Sequence, residues 1–224
     1  MILRKDLLPC AILVPSLNRP QRLREVVANI HDNTPEPHRI LFCVGDQESK
    51  GILIELGEWF LDDEDDPDKR YVTRMNKLIA HIGHAQTIFF GSDDVVHYMG
   101  WLSAAHRIME QGPSVVVVND LRNPNGTQAV IRTAYLDYAV FDDPGQAFHA
   151  GYSHNYADTE MFYTAHKRGA YARSLNSFVE HLHPLFESEN SMPWDDTYRN
   201  ASIEWDADQA AWEERLAKID EAFA

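Results

Sequence analysis

The sequence predicts an α/β protein built on a mainly parallel, doubly wound sheet. Short apolar runs rich in β-branched and aromatic residues alternate with longer segments of helical periodicity, which is the pattern of strand–helix–strand units. Several of these runs are apolar at every position, as strands covered by helices on both faces are. The chain has 224 residues, of which 44% are hydrophobic, and this is enough for one domain with a sizeable core.

Composition and charge argue against several classes of protein. A formal net charge of -15 repels phosphate backbones, so a protein that tracks a nucleic-acid groove is not expected. Cys10 and Cys43 lie in separate apolar runs and are expected to be reduced core thiols. No run is long enough to span a membrane, and residues 1–6 lack the apolar region of a secretory signal. We therefore expect a cytoplasmic protein.

The first two strands and the helix between them follow from periodicity. Cys10–Val14 is predicted to be a buried strand, and a turn-rich loop leads from it to Pro20. The segment after Pro20 carries one apolar stripe, which predicts a helix. The stripe consists of Leu23, Val26, Val27 and Ile30. Arg39–Val44 is the second strand, and a right-handed crossover should join the two strands.

The next segment is predicted to contain two helices and a short strand. Ile52–Leu61 should be helical, and the acidic run Asp62–Asp66 should be a solvated loop. Arg70–Thr73 is predicted to be a strand and Met75–Ile82 a helix.

The acid pair behind the strand Thr87–Phe90 is the centre of the predicted site. The strand runs into Gly91 and Ser92, and then Asp93 and Asp94 follow. Ligands of open α/β sheets bind beyond the carboxyl ends of the strands. Two adjacent carboxylates repel each other there, and a divalent cation can compensate because hard cations bind oxygen ligands. The alternative is an acidic turn in which Asp94 caps the next helix.

The second half begins regularly and then becomes irregular. A helix from Trp101 and a buried strand at Ser114–Val118 are predicted, followed by an irregular, aromatic region over residues 119–155. Asp158–Ala172 should be a helix that ends near Gly169, and Phe178–His183 alternates like a strand.

The tail Ile203–Ala224 is predicted to be an amphipathic helix. Its apolar stripe consists of Trp205, Trp212, Leu216, Ile219 and Phe223. The stripe should pack on the main domain, with a contact to a second copy of the chain as the alternative. We therefore divide the chain into a domain of residues 1–200 and an acidic helix of residues 201–224.

Two further groups of polar residues could join the acid pair. Asp158 and Glu160 open a helix, where the helix dipole favours acids, so capping alone would explain them. His181 and His183 point to the same face of a strand because side chains alternate along it. Two interpretations of these histidines are open: they bind a metal together with the acid pair, or they are part of a polar strand face.

The order of these features resembles GT-A-fold glycosyltransferases of the family-2 type. The similar motifs span residues 10–184. They are Val14-Pro-Ser-Leu-Asn-Arg19, Gly45-Asp46, Arg74-Met-Asn-Lys77, Phe90-Gly-Ser-Asp-Asp-Val95, Gly100-Trp-Leu102, Ala157-Asp-Thr-Glu-Met161 with Lys167-Arg-Gly169, and a late histidine. Two positions depart from the family pattern. Ser92 stands where the family has the first acid of its Asp-rich motif, and Ala157 replaces the Glu of its Glu-Asp pair.

The resemblance implies a fold and a reaction. The fold would be the Rossmann-like sandwich of nucleotide-diphospho-sugar transferases, with a mainly parallel central sheet and a C-terminal helix. The reaction would transfer a sugar from a nucleotide-sugar, preferably a UDP-sugar, to an acceptor hydroxyl with inversion. The acceptor is open: a small molecule, a lipid-linked or other glycan, a protein or a modified nucleic acid. A homo-oligomer formed through the C-terminal helix is also open.

The resemblance also implies roles for individual residues. Asp158 would be the catalytic base. Asp94, with His181 or His183, would hold Mn²⁺ or Mg²⁺. The donor would be bound by Pro15, Ser16, Asn18, Arg19, Asp46, Arg74, Asn76, Lys77 and Asp93.

Two other functions compete with this interpretation. A nucleotidyltransferase that makes sugar-nucleotides has a related sheet, but it usually has a glycine-rich loop after the first strand, and Pro15–Pro20 contains no glycine. A non-catalytic module that binds nucleotide-sugars is compatible with the incomplete motifs at Ser92 and Ala157.

Overall fold

The described part of the chain comprises residues 9–66, 68–186 and 191–224 of a computed structural model. The expectation that no signal sequence is present concerns residues 1–6, which lie outside this part. Among the described helices, none has the length and apolar character needed to cross a membrane.

The described residues form one sheet of eight strands. The strands are β1 (Cys10–Pro15), β2 (His38–Val44), β3 (Trp59–Asp62), β4 (Thr87–Phe90), β5 (Val95–His97), β6 (Val115–Asp120), β7 (Ala129–Arg132) and β8 (Tyr171–His181). Their order across the sheet is β3-β2-β1-β4-β7-β6-β8-β5. The pairs β1–β2, β1–β4, β2–β3 and β6–β8 are parallel, whereas β7 is antiparallel to both of its neighbours and β5 is antiparallel to β8. The predicted mainly parallel sheet is confirmed.

Helices cover both faces of this sheet. They are α1 (Pro20–Asn33), α2 (Gln47–Leu56), α3 (Tyr71–Ile79), α4 (Trp101–Met109), α5 (Leu136–Ala139), α6 (Ala157–Lys167), α7 (Asp196–Ile203) and α8 (Trp205–Ala222). Ala11 and Leu13 of β1 belong to a core cluster with α3 and α6, whereas Ile12 and Val14 belong to a second cluster with α1 and α4. Because β1 side chains alternate between two apolar layers, every position of the strand is apolar.

The chain between α2 and α3 differs from the sequence prediction. The helix predicted over Ile52–Leu61 ends at Leu56, because Gly57 adopts a left-handed φ of 74° and its N–H bonds to the carbonyl oxygen of Ile54. The apolar run beyond it forms β3 beside β2. The predicted strand Arg70–Thr73 is also wrong, since α3 begins at Tyr71 and buries Val72 in its apolar stripe.

The predicted C-terminal helix is present as α8, and a further helix, α7, precedes it. Asp195 caps α7 by accepting a hydrogen bond from the Tyr198 N–H at 3.2 Å, and α8 begins at Trp205. Ile219 is fully buried, and Arg215 makes an ion pair with Glu160 of α6. The tail therefore packs on the main body. A contact between two copies of the chain through this tail stays a prediction.

Cys10 and Cys43 are buried free thiols, as expected. Burial raises the pKa of each thiol to about 12, so both are unreactive at neutral pH.

Candidate active site

A cavity of about 700 Å³ opens beyond the carboxyl ends of β1 and β4. Eight of the residues predicted for the site line it. They are Pro15, Arg19, Arg74, Asp93, Asp94, Asp158, His181 and His183. The other predicted residues, Ser16, Asn18, Asp46, Asn76 and Lys77, do not line this cavity. The sheet thus brings side chains from its central strands, β8 and α6 to one space, as ligand sites of open α/β sheets require.

Asp93 and Asp94 lie in the turn between β4 and β5 and are both buried, but they have different partners. Asp93 accepts hydrogen bonds from the Ser16 hydroxyl at 2.6 Å and from Nη1 of Arg19 at 2.7 Å. Asp94 accepts from the Tyr198 hydroxyl at 2.6 Å and from the Ser92 hydroxyl. The chain continues from Asp94 into β5, so the alternative in which Asp94 caps a helix is wrong.

Asp94 also contacts the imidazole of His181, with 3.3 Å between Nε2 and the carboxylate. Burial alone would raise the pKa of Asp94, but the charge and hydrogen bond of His181, with Arg19, hold this pKa well below its usual range. Burial by itself would lower the pKa of His181. The charge and hydrogen bond of Asp94 outweigh burial, so the pKa of His181 is raised above its usual value. The two side chains form a close acid–imidazole pair.

Only part of the predicted metal-binding set comes together. The His183 ring packs edge-on against Tyr198, with 4.7 Å between centroids, and its Nδ1 accepts from the Leu185 N–H at 3.2 Å. Burial lowers the pKa of His183 to about 4, which leaves the ring neutral. Within residues 9–66, 68–186 and 191–224, no group of three or more His, Cys, Asp and Glu side chains is arranged to hold a metal ion. One carboxylate and one imidazole do meet, and this pair of ligand types suits Mn²⁺.

Arg19 connects the acid pair to α7. Its guanidinium makes two hydrogen bonds to Asp195, at 2.7 and 3.1 Å, and it lies 4.3 Å from the centroid of the Tyr198 ring. Asp195 and Tyr198 were not predicted from the sequence. No local pattern indicates them, because their partners are more than a hundred residues away in the chain.

Two polar atoms flank Gly45 without a hydrogen-bond partner among the described residues. They are Nη2 of Arg74 and Oδ2 of Asp46. Nη2 lies 3.4 Å from the place where a Cβ on Gly45 would be. The other polar atoms of these side chains are engaged: Arg74 Nε donates to Asp63 at 2.8 Å, and Asp46 Oδ1 caps α2. These two buried atoms are one unpartnered donor and one unpartnered acceptor near the end of β2.

Several residues predicted to contact the donor have structural partners instead. The Asn76 amide donates to the Phe148 carbonyl at 2.8 Å, and the Lys77 ammonium lies 2.7 Å from Asp63. Asn18 has a φ of 55°, a left-handed conformation that asparagine tolerates, and it turns the loop before Arg19.

Asp158 stands in the first turn of α6 at the wall of the cavity. Its Oδ1 accepts a hydrogen bond from the Thr159 N–H at 2.8 Å. Burial raises the pKa of Asp158 to about 6, and the backbone hydrogen bonds reduce that effect without cancelling it. The carboxylate is thus a stronger base than an ordinary aspartate and is still ionised at neutral pH.

Asp208 of α8 supports the loop that leads to Asp158. The buried Asp208 carboxylate accepts the backbone N–H groups of Ser153, His154 and Asn155, at 2.7, 3.0 and 2.7 Å. The sequence does not single out Asp208, because it is one of many acidic residues in the C-terminal helix.

The order of the strands and the position of the acid pair behind β4 agree with the expected GT-A fold, and the solved structures that resemble the chain confirm this fold. The first is the mannosyltransferase PcManGT from Pyrobaculum calidifontis in complex with GDP-Man and Mn²⁺, which is 11% identical, has a TM-score of 0.63, and is matched over 79% of this chain and 57% of that chain. S. aureus TarS 1–349 is 12% identical with a TM-score of 0.58, over 77% and 60% of the two chains.

A third similar structure is glucosyl-3-phosphoglycerate synthase from Mycobacterium tuberculosis in complex with Mn²⁺, UDP and glucosyl-3-phosphoglycerate. It is 10% identical with a TM-score of 0.55, over 74% of this chain and 69% of that chain. The chain spans only 57% of PcManGT and 60% of the TarS chain, and at these identities the likeness concerns the fold. No protein-family model matches the chain, and neither does any curated protein sequence.

Proposed function

We propose that this protein is a metal-dependent glycosyltransferase that moves a sugar from a nucleotide-sugar to an acceptor hydroxyl with inversion. The observation that carries the proposal is that Asp158 shares one cavity with the Asp94–His181 pair, at the carboxyl ends of the parallel strands. A candidate base and a candidate metal ligand set therefore face the same space. The similar structures in complex with GDP-Man and with UDP-Glc support a hexose donor of this kind.

The nucleoside of the donor would bind at Gly45. A base such as uracil presents a donor next to an acceptor, and the unpartnered atoms of Asp46 and Arg74 offer the complementary acceptor and donor. Buried polar atoms without partners cost free energy, so a ligand that satisfies both would gain affinity there. Pro15, which lines the cavity, would lie on the path from the nucleoside to the diphosphate.

Asp94 and His181 would hold Mn²⁺ or Mg²⁺. When bound, the ion supplies Lewis-acid stabilisation of the negative charge on the departing nucleoside diphosphate. Arg19 is a weak candidate for this charge compensation, because Asp93 and Asp195 already balance its guanidinium. His183 stays the second candidate imidazole ligand.

Asp158 would accept the proton of the attacking acceptor hydroxyl. Its raised pKa of about 6 makes the carboxylate more basic while leaving it ionised at pH 7. One displacement at the anomeric carbon, from the face opposite the leaving group, inverts the configuration.

A thermal-shift screen with UDP, GDP, TDP and CDP, their sugars, and Mn²⁺ tests this proposal. A nucleotide present at about a hundred times its dissociation constant stabilises the protein by about 2.7 kcal/mol. We expect a manganese-dependent shift with one base, which Asp94→Asn abolishes and which Asp206→Asn, a change of an exposed acid on α8, leaves intact. If no nucleotide produces a shift with or without Mn²⁺, the proposal is wrong.

A non-catalytic nucleotide-sugar-binding protein is the second candidate. The contacts of Tyr198 with Asp94 and of Asp195 with Arg19 favour it, because they occupy groups that a donor and its metal would use. Release of nucleoside diphosphate from the donor separates the two candidates, since a binding protein retains the donor intact. Pyrophosphate release from a nucleoside triphosphate and a sugar phosphate would identify a nucleotidyltransferase instead.

A further inference from the structure

An aromatic pair forms the cavity wall beside the candidate base. Tyr156 and Trp205 both line the cavity, and their rings meet edge to face with 5.2 Å between centroids. Tyr156 is two residues before Asp158, and Trp205 is the first residue of α8. Trp205 is 46% exposed, so much of its surface is free to contact a ligand.

The backbone of Tyr156 is strained. Its φ of 62° lies in the left-handed region, which a bulky residue rarely adopts. Such strain costs on the order of 1 kcal/mol or more and persists where the surroundings enforce it, often at ligand sites. Here the loop before Tyr156 is fastened by Asp208. Tyr156 thus lines the cavity from a strained backbone position next to a loop that Asp208 holds.

The positive charge of each described Arg and Lys side chain that lines the cavity lies within 4 Å of a carboxylate of the chain, although Nη2 of Arg74 keeps an unpartnered N–H. Arg19 pairs with Asp93 and Asp195, Arg70 with Asp68, and Arg74 with Asp63. Lys69 donates to the carbonyl oxygens of Asp63 and Glu64. A phosphorylated or carboxylated acceptor would therefore find no unpaired positive charge among these groups. The net charge of -15 adds long-range repulsion to this effect.

Neutral polar groups are available in the same cavity. Gln128 is 4% exposed and lines the cavity, and its Oε1 has no hydrogen-bond partner in the described chain. A buried amide oxygen of this kind is satisfied by a ligand that donates an O–H or N–H group. Aromatic faces together with neutral amide groups complement a sugar ring, which has apolar C–H faces and hydroxyl edges.

We propose that the acceptor is a neutral carbohydrate whose ring lies against the Tyr156–Trp205 pair. This inference rests on the proposed glycosyltransferase function. In the reaction, the acceptor oxygen forms a bond to the anomeric carbon of the donor, and the bond from that carbon to the phosphate oxygen breaks. The nucleoside diphosphate leaves with the electron pair, and the proton of the acceptor hydroxyl moves to Asp158. A neutral glycan thus gains one sugar.

The test measures saccharide binding by calorimetry in the presence of Mn²⁺ and the nucleoside diphosphate that gives a thermal shift. The probes are neutral di- and trisaccharides ending in glucose, galactose or mannose, together with the matching uronic acids and sugar phosphates. Trp205→Ala removes one ring. Tyr156→Gly removes the other, and it relieves the backbone strain because glycine adopts a positive φ freely. Tyr138→Ala is the control, since Tyr138 is an exposed tyrosine outside the cavity.

We expect a neutral saccharide to bind, with a dissociation constant that rises at least tenfold in Trp205→Ala and Tyr156→Gly but not in Tyr138→Ala. The thermal shift with nucleotide and Mn²⁺ should be unchanged in all three variants. Preferential binding of the anionic probes, weakening with added salt, would overturn the inference. If the protein binds a nucleotide but no neutral saccharide, the inference is wrong and the proposed function stands. If the protein without substitutions binds no nucleotide, both are wrong.

Discussion

Asp94 receives hydrogen bonds from three other parts of the chain, and this makes it sensitive to changes in its neighbours. Ser92 precedes it, His181 reaches it from β8, and Tyr198 reaches it from α7. A metal ion at Asp94 would compete with the Tyr198 hydroxyl for the same carboxylate oxygens.

Tyr198→Phe should tighten Mn²⁺ binding. The change removes one donor to Asp94 but keeps the ring against which Arg19 lies. A hydrogen bond to a charged group contributes about 1.5–3 kcal/mol, part of which the metal would no longer have to replace. We expect the dissociation constant for Mn²⁺ to fall by about tenfold in calorimetry. Tyr163→Phe, which removes a hydroxyl bonded to the exposed Asp220, is the control. Weaker binding in Tyr198→Phe would mean that the hydroxyl assists the metal.

Asp158→Asn should reduce turnover without reducing stability. A general base contributes about a hundred- to ten-thousand-fold in rate, so turnover should fall at least a hundredfold while the donor still binds. Because burial disfavours the charged carboxylate, the neutral amide should leave the melting temperature at pH 8 unchanged or higher. Steady-state kinetics and calorimetric melting measure the two effects. Turnover near that of the unmodified protein would remove Asp158 from this role.

The pH dependence of the reaction should reflect the same carboxyl group. Below its pKa of about 6, Asp158 is protonated and cannot accept a proton, so kcat/KM should fall about tenfold per pH unit there and be level above it. Saturating Mn²⁺ is needed, because the raised pKa of His181 makes protonation compete with metal binding in acid. A flat profile between pH 5 and 8, with unchanged donor binding, would contradict the assignment.

At the scale of elements, α8 is part of the site although it lies at the end of the chain. Asp208 holds the backbone of residues 153–155, and Arg215 holds Glu160 on α6. The side chains of Asp208, Arg215 and Glu160 are buried, and their contacts hold the chain before and after Asp158. The helix that the sequence predicts to pack on the main domain therefore also supports the candidate base.

Asp208→Asn should weaken both folding and turnover. The asparagine side chain has one oxygen that accepts hydrogen bonds, whereas the aspartate has two. At least one of the three backbone N–H groups therefore loses its acceptor, which costs about 1–3 kcal/mol. We expect the free energy of unfolding in urea to fall by about 2 kcal/mol, and kcat to fall while the KM for the donor stays constant. Asp206→Asn on the same helix is the control, because Asp206 is exposed. If kcat is unaffected while stability falls, Asp208 has only a structural role.

At the scale of the whole molecule, the protein carries a net negative charge although its cavity should receive an anionic donor. The charge of -15 slows the approach of a nucleotide-sugar, and salt screens this repulsion. The Debye length falls from about 30 Å at 0.01 M ionic strength to about 8 Å at 0.15 M. We expect kcat/KM for the donor to rise severalfold over this range at saturating Mn²⁺. A decrease would mean that a local positive patch, and not the net charge, controls the approach.

The predicted elements agree with the structure where local periodicity decides the conformation, and they differ where contacts with distant parts of the chain decide it. Elements with a clear local period, such as β1, α1 and α4, agree with their predicted ranges. The helix predicted beyond Gly57 is wrong because this apolar run suits a helix and a strand equally well, and only pairing with β2 decides between them. The strand predicted at Arg70–Thr73 is wrong because its β-branched residues lie in the first turn of α3, where tertiary packing outweighs local propensity.

The sequence left open whether Asp158 and His181 join the acid pair, and the roles expected of them came from the family resemblance. By itself, the sequence determined the alternation of strands and helices, the doubly wound sheet, and a candidate site at the end of the strand before Asp93 and Asp94. These follow from local periodicity and from the rule that parallel strands end at one edge of the sheet. Only the tertiary structure decided which residues hold that site together. Asp195, Tyr198 and Asp208 act through contacts with Arg19, Asp94 and the loop before α6, and a short-range pattern contains no information about partners so distant in the chain.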